Sequence, residues 1–396
     1  AFRQRFGSTA PGGVMRQSSK PRVVIALMLL NLLAWPAIEA GAVTLTVLST
    51  ADSGATTLRQ AIITANSTAT ADTIEFNISG SGVQTITPLT PLPTITQPLT
   101  INGYTQPGAS PNTLADASNA IILIQIDGAS AGATANGLSI CAPNSVVRGL
   151  SITRFQQRGV AFGTDSTGAS CGAGAANGSS IIGSFLGLAP DGSALGNNRG
   201  MFDDSSVVVI GGTLPADRNV ISSNATTGIA FSNAGATGSS ALGNLIGWDP
   251  SASEARGNLR GVSLAGSVGG TTIGTASAPN RIANNGTGVD VSGSASGNTT
   301  FANDIGPNTN LGMDLCLTAS CPDGLTPNDL NDADSGGNAL QNFPALTAVT
   351  RTATGLLVSG SLDRPTSGVL TFTIALYASA SCDASGNGEG ERFLGT

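Results

Sequence analysis

The sequence predicts an all-β fold, a β-solenoid of stacked parallel coils, on three observations: a long internal repeat, short apolar runs in near alternation, and Gly and Asn at the joints between them. The repeat occupies Gly178 to Gly293. Gly178-Ser-Ser-Ile-Ile-Gly-Ser-Phe-Leu-Gly-Leu-Ala-Pro-Asp-Gly192, closing at Gly196-Asn-Asn-Arg-Gly200, returns as Gly238-Ser-Ser-Ala-Leu-Gly-Asn-Leu-Ile-Gly-Trp-Asp-Pro250, closing at Gly257-Asn-Leu-Arg-Gly261. The offset is 60 residues at the start (178 to 238) and 61 at the close (196 to 257). Asn219-Val-Ile-Ser-Ser-Asn224 then returns as Asn280-Arg-Ile-Ala-Asn-Asn285, so the chain is read as a repeat architecture.

Each copy holds about six apolar runs, and no ten-residue window shows the 3.6 period of a helix, which excludes helical solenoids. With three strands and about 20 residues to a coil, one unit makes roughly three coils stacked at the ~4.8 Å spacing of paired strands. The bends need dihedrals that Gly adopts freely and Asn tolerates, which accounts for 53 glycines. Asn224, Asn244, Asn258, Asn285, Asn298 and Asn303 recur at these joints, where stacked amides can bond to one another and to turn backbone. The spacing predicts one continuous parallel β-helix over Leu99 to Gly306, with Ile221, Ile229, Ile282 and Val289 in its core.

Only 10% of residues are charged, 4% are aromatic, and the net charge is −7, which leaves no electrostatic footprint for nucleic acid or an anionic membrane surface. The sequence contains no histidine, so it has no imidazole base and no histidine metal ligand.

The chain opens on Ala1, and Met15 reads as the natural first residue. Arg16, Lys20 and Arg22 form a basic segment, Val23 to Ala34 an apolar core, and Ala40-Gly-Ala42 a small-residue exit, the pattern of a secretory signal. The core is shorter than the ~20 residues a membrane span requires. Residues 1–42 are therefore expected to be an N-terminal extension and signal peptide. No later stretch can cross a bilayer, and the mature protein is expected to be secreted or on the cell surface.

Residues 43–103 read as an N-terminal cap with the first strands. Thr44 to Ser49 alternates as a strand, and Leu58, Ala61, Ile62 and Ala65 fall at i, i+3, i+4 and i+7, a short amphipathic helix. Such a helix covers the open end of a solenoid, whose core and strand edges would otherwise face solvent.

These residues carry a resemblance. Leu45 to Asn66, Asp72-Thr-Ile-Glu-Phe-Asn77, Leu99-Thr-Ile-Asn-Gly103 and Tyr104-Thr-Gln-Pro-Gly108 resemble the start of bacterial secreted or surface proteins with right-handed parallel β-helix repeats of the pectin-lyase-like fold. Their entry segment is named for a Cys-Ser-Leu-Arg-Glu-Ala run. Thr56-Thr-Leu-Arg-Gln-Ala61 stands there in this chain, departing at three of the six positions and lacking the cysteine. Asn219-Val-Ile-Ser, Asn244-Leu-Ile-Gly and Asn342-Phe-Pro-Ala-Leu346 are similar to the same group. The resemblance implies a right-handed parallel β-helix and secretion, while fold alone supplies no activity.

The β-helix is assigned to residues 104–306. Residues 307–343 form an acidic linker in which Asp323, Asp329, Asp332 and Asp334 are the calcium candidates, since that ion takes six to eight oxygen ligands. No Glu closes a helix-loop-helix calcium pattern there, and a solvated linker with no cofactor is the competing reading. Residues 344–396 read as strands of a partial β-sandwich-like module, Ala345 to Thr350, Gly355 to Leu362, Val369 to Ala378 and Gly388 to Gly395. The open edge of the last is read as continuing into a longer natural chain, monomeric as part of it. Of five cysteines, Cys316 and Cys321 can close a small loop, and Cys141 and Cys171 can join a coil to the Gly-rich loop beside it; Cys382 has no evident partner.

Two classes of function compete. Right-handed β-helices host lyases and hydrolases of acidic glycans, and Asp203-Asp204 is the adjacent acidic pair that glycosidic cleavage would use. The aligned stretch Gly261-Val-Ser-Leu-Ala265 carries no acid, and the chain offers neither histidine nor, beyond Lys20, a lysine as base. The favoured reading is a non-catalytic adhesin, glycan-binding or stalk protein whose partner is a polysaccharide or cell-surface glycan. Trp248 and Tyr104 are the main aromatic candidates for sugar stacking.

Overall fold

The computed structural model describes residues 41–233, 235–318, 320–364, 371–381 and 386–396. The expected signal segment through residue 40, and Cys382, lie outside the described residues. Three parallel sheets of nine, eight and seven strands run side by side, and from Leu99–Asn102 onward each coil gives one strand to each sheet. Thus Val146–Arg148, Leu150–Thr153 and Arg158–Phe162 are followed by Ser180–Ile182, Phe185–Leu186 and Arg199–Asp203. Val147 pairs with Ile181, Ile152 with Leu186 and Val160 with Met201. The period of two turns alternate residues inward. Ile181, Ile210, Ala241 and Ile273 form one core column, Leu186, Ile221, Ile246 and Ile282 a second, and Met201, Ile229, Val262 and Val289 a third, all fully buried. The protein is a parallel β-helix.

The coil count differs from expectation. Ile221 pairs with Ile246, and Ile246 with Ile282, so equivalent residues of the two sequence units stand two coils apart rather than three, about 9.6 Å by strand spacing. Six apolar runs at three strands per coil already amount to two coils. The additional length lies in hairpins and turns that carry no apolar period, notably those bridged at Leu188 with Ala194 and Trp248 with Ala255.

Two asparagine columns run through the later coils of the stack, from Asn197 to Asn308. In one, Asn219 Nδ2 donates to Asn244 Oδ1 (2.9 Å), Asn244 to Asn280 (3.0 Å) and Asn280 to Asn303 (2.9 Å). In the other the chain of donors is Asn197, Asn224, Asn258, Asn285 and Asn308. Asn298 bonds to Asn338 in the same way. Glycine fits beside them for a steric reason: a Cβ on Gly247 (φ 87°) would stand 1.9 Å from Ala283 O.

Both ends of the stack are covered. Helix α1 (Leu58–Ala65) is capped by Thr57, which accepts from Gln60 N, and buries the expected face Leu58, Ala61, Ile62 and Ala65 against Val47 and Ile74 of the first strands. Arg59 anchors it by an ion pair to Asp52 (2.6 Å) and a bond to Pro91 O. The sheets reach beyond 104–306 in both directions, from Thr44–Val47 to Met313–Leu315. The C-terminal strands form two two-stranded antiparallel sheets, Ala345–Arg351 with Leu356–Ser361 and Leu376–Ala378 with Arg392–Gly395. Residues 104–123 lie as a strap over the second sheet, tied by Tyr104 Oη to Gly183 O, Arg218 to Leu114 O and Ala117 O, and Arg281 to Asp116 O. Among the described residues no helix is long and apolar enough to cross a membrane.

Candidate functional site

Two hairpins leave the stack after second-sheet strands, Leu188 bridged to Ala194 and Trp248 bridged to Ala255. Each is held at its base by a buried serine of the preceding coil: Ser151 Oγ donates to Leu188 O (2.8 Å) and Ser222 Oγ to Trp248 O (2.7 Å). The coil between them, with its strand at Val220–Ile221, carries no hairpin, so a cleft of about 440 Å³ opens beside them. Phe185, Pro190 and Pro250 supply apolar surface, and Asp191, Ser193, Asp249, Ser251, Glu254 and Arg256 supply polar groups. Gly192 lets the tips approach, since a Cβ there would reach 3.1 Å from Pro250 Cδ.

The carboxylates of the cleft are ordered by their own loops. Asp191 Oδ1 accepts from the Ser193 hydroxyl (2.7 Å) and N–H (2.9 Å), and these bonds hold its pKa below the usual carboxylate value. Burial pushes Asp249 up, but the Ser251 hydroxyl and the backbone N–H groups of Glu254, Ser253 and Ser251 outweigh it and leave the pKa lowered. Both are therefore ionised acceptors at neutral pH, and neither is placed to supply the proton that glycosidic cleavage requires. Glu254 pairs with Arg256 at 2.7 Å.

Asp203 and Asp204 lie elsewhere. Asp203 pairs in register with Phe162 and Phe231, and all three are 0% exposed, so its carboxyl sits in a core column rather than on a surface. Its oxygens accept from Ser205 N (2.9 Å) and Ser239 Oγ (2.7 Å). Burial dominates and pushes its pKa up to about 7. Asp204 is half-buried, its pKa raised by burial against a hydrogen bond from Asn233 and the charge of Arg158. The two carboxyls do not flank a common groove.

The remaining candidates separate into two groups. Asp329, Asp332 and Asp334 bring carboxylate oxygens within 4.8 Å of one another. Asp323 is not among them; it accepts from Leu317 N (3.1 Å) inside the loop closed by the Cys316–Cys321 disulfide. That loop lies by Asp290 and Asp314 of the third sheet: Arg260 donates to Cys321 O and stands 3.7 Å from Asp290. Cys141 and Cys171 form a second disulfide, Cα atoms 5.9 Å apart. Trp248 and Tyr104 are half-buried, each beneath an arginine, Arg281 and Arg148 respectively. Sequence reasoning missed the hairpin cleft, although its signal was present in the repeat as Pro190-Asp191 and Asp249-Pro250.

No protein-family model matches the chain, and no curated protein matches it. Among solved structures, the Dettilon tailspike protein is similar to it at 16% identity and a TM-score of 0.37, over 65% of this chain and 42% of that one. This chain thus spans less than half the length of that protein.

Proposed function

We propose that the chain is a secreted or cell-surface β-helix protein that binds a glycan without cleaving it, and that the hairpin cleft holds the sugar. The cleft lining carries the reading. Asp191, Asp249 and Glu254 are acceptors for sugar hydroxyls, Ser193 and Ser251 add hydroxyls, and Pro190 and Pro250 offer apolar surface for ring faces. Three carboxylates against one arginine favour a neutral glycan over a polyanion. The two disulfides suit an oxidising compartment, and the likeness of Thr56 to Ala61 to surface-protein entry segments supports the same localisation.

The test is a glycan array followed by calorimetric titration of the hits, with new reducing ends and unsaturated products followed in parallel. Retention of a neutral glycan, weakened by Asp191→Asn and Asp249→Asn and without turnover, is expected. Turnover that disappears in Asp203→Asn/Asp204→Asn would replace binding by catalysis. Silence in every assay would leave a structural stalk.

A further inference from the structure

Arg158 and Arg199 open neighbouring strands of the third sheet and are paired in register. Both guanidinium groups lie over one ring: Cζ of Arg158 is 4.1 Å and Cζ of Arg199 5.8 Å from the centroid of Phe202. Phe202 is 7% exposed, so the two cations roof it while remaining partly exposed themselves.

Other arginines of the stack are engaged. Arg59 pairs with Asp52, Arg154 with Asp127 and Arg256 with Glu254; Arg260 is bound to Cys321 O near Asp290; Arg218 and Arg281 donate to strap carbonyls. Arg148 likewise makes no hydrogen bond among the described residues but stands alone over Tyr104. Among the described residues no hydrogen bond or ion pair engages Arg158 or Arg199, and Arg158 Nε is buried without an acceptor. Burial, and then the charge of Arg199, disfavour the charged form of Arg158, with Asp204 attracting it from beyond contact. Burial and Arg260 do the same to Arg199. Attraction to one ring orients both cations but supplies no acceptor. Two like charges held together over one ring, with no protein acceptor among the described residues, are a frame for a doubly coordinated oxyanion, the ligand that the planar guanidinium fork matches best.

We infer that Arg158 and Arg199, set over Phe202, form a binding site for one oxyanion, a carboxylate or sulfate group that is either free or borne on a saccharide. This site lies on the third sheet, apart from the acidic cleft, and does not rest on the glycan reading.

The experiment is isothermal titration of the purified chain, at fixed ionic strength, with inorganic sulfate, with an oligogalacturonate and with a neutral oligosaccharide of equal length. One-to-one binding of sulfate or oligogalacturonate is expected, weakened about tenfold or more in Arg158→Gln/Arg199→Gln and several-fold in Arg199→Lys, which keeps the charge but loses the fork. Arg351→Gln, exposed on the C-terminal hairpin, removes one charge away from the site and should bind as the parent. Tighter binding of oligogalacturonate than sulfate assigns the acid to a saccharide; the reverse assigns a free ion. The inference is overturned if neither anion binds, if the double variant keeps its affinity, or if Arg351→Gln weakens binding equally. Should the double variant fail to fold by circular dichroism, Arg199→Lys decides alone, and unchanged affinity there also overturns it. A neutral oligosaccharide bound equally by parent and double variant reports on the cleft and leaves this site to the anion data.

Discussion

The side-chain amide of Asn244 and its backbone N–H both donate to Oδ1 of Asn280, each at 3.0 Å. One oxygen thus ties two coils by two bonds, while Asn244 Nδ2 also reaches Ile210 O at 2.9 Å. Every bond is buried, so removing this rung leaves Asn219 Nδ2 one acceptor short and Asn280 Oδ1 one donor short. Asn244→Ala is expected to cost about 2–4 kcal/mol by urea unfolding. The exposed Asn198 is the control, its change to Ala staying within about 0.5 kcal/mol. Equal losses at the two positions would show that the ladder is incidental.

Asp203 predicts how stability responds to pH. Its folded pKa of about 7 lies above the ordinary 3.8 because burial disfavours the carboxylate. Between about pH 4 and 7 the native state therefore holds a proton that the unfolded chain has released, and stability falls as pH rises through that window. Asp290, raised to about 6 chiefly by burial, acts in the same direction over a narrower range. Asp203→Asn should match the parent near pH 4 and exceed it at pH 8 by at most about 4 kcal/mol, leaving a shallower slope to which Asp290 still contributes. Parallel pH profiles for the two proteins would refute the buried position.

Alternation was enough to place Ile221, Ile229, Ile282 and Val289 in the core, and the helix face at Leu58 to Ala65, because period-2 and 3.6-residue patterns record burial directly. The inward turn of Asp203 was not readable. Gly200-Met-Phe-Asp-Asp-Ser205 shows an acidic pair, and only its register with Phe162 and Phe231 makes one member part of the core. The Arg158 and Arg199 pair leaves no local trace either, since it is created by stacking of residues distant in sequence. The coil count failed because loop length varies freely where no strand register constrains it.

The acidic segment is expected to hold calcium weakly or not at all. Asp329 already accepts from Ala333 N and Asp332 from Asn342 N (2.7 Å), so the loop is braced by its own backbone. Burial, and the charges of Asp329 and Asp332, raise the pKa of Asp334, the one member of the three carrying a buried oxygen without a donor. Millimolar calcium should move the melting temperature by no more than about a degree or two. A rise of many degrees, reversed by chelator and lost in Asp332→Asn/Asp334→Asn, would establish a site instead.

The hairpin of Leu376–Ala378 and Arg392–Gly395 packs against the last coil of the stack. Ile305 N donates to Gly390 O (2.7 Å), Ala302 N to Tyr377 Oη (3.1 Å) and Asn308 N to Glu389 Oε2 (2.7 Å). Phe393 packs edge-on to both Phe301 and Tyr377, ring centroids 5.5 Å apart in each pair. These contacts cover the edge of the last second-sheet strand, Asp304–Ile305, whose backbone groups would otherwise offer a template to another chain. Deleting residues 371–396 should therefore produce concentration-dependent association in size-exclusion light scattering and lower the melting temperature by several degrees. Phe393→Ala removes the aromatic contacts and leaves the backbone bonds, so it should cost about 1–2 kcal/mol while the protein stays monomeric. A truncated chain that remains monomeric and melts with the parent would mean that the last coil is stable with its edge open and that the hairpin has another purpose.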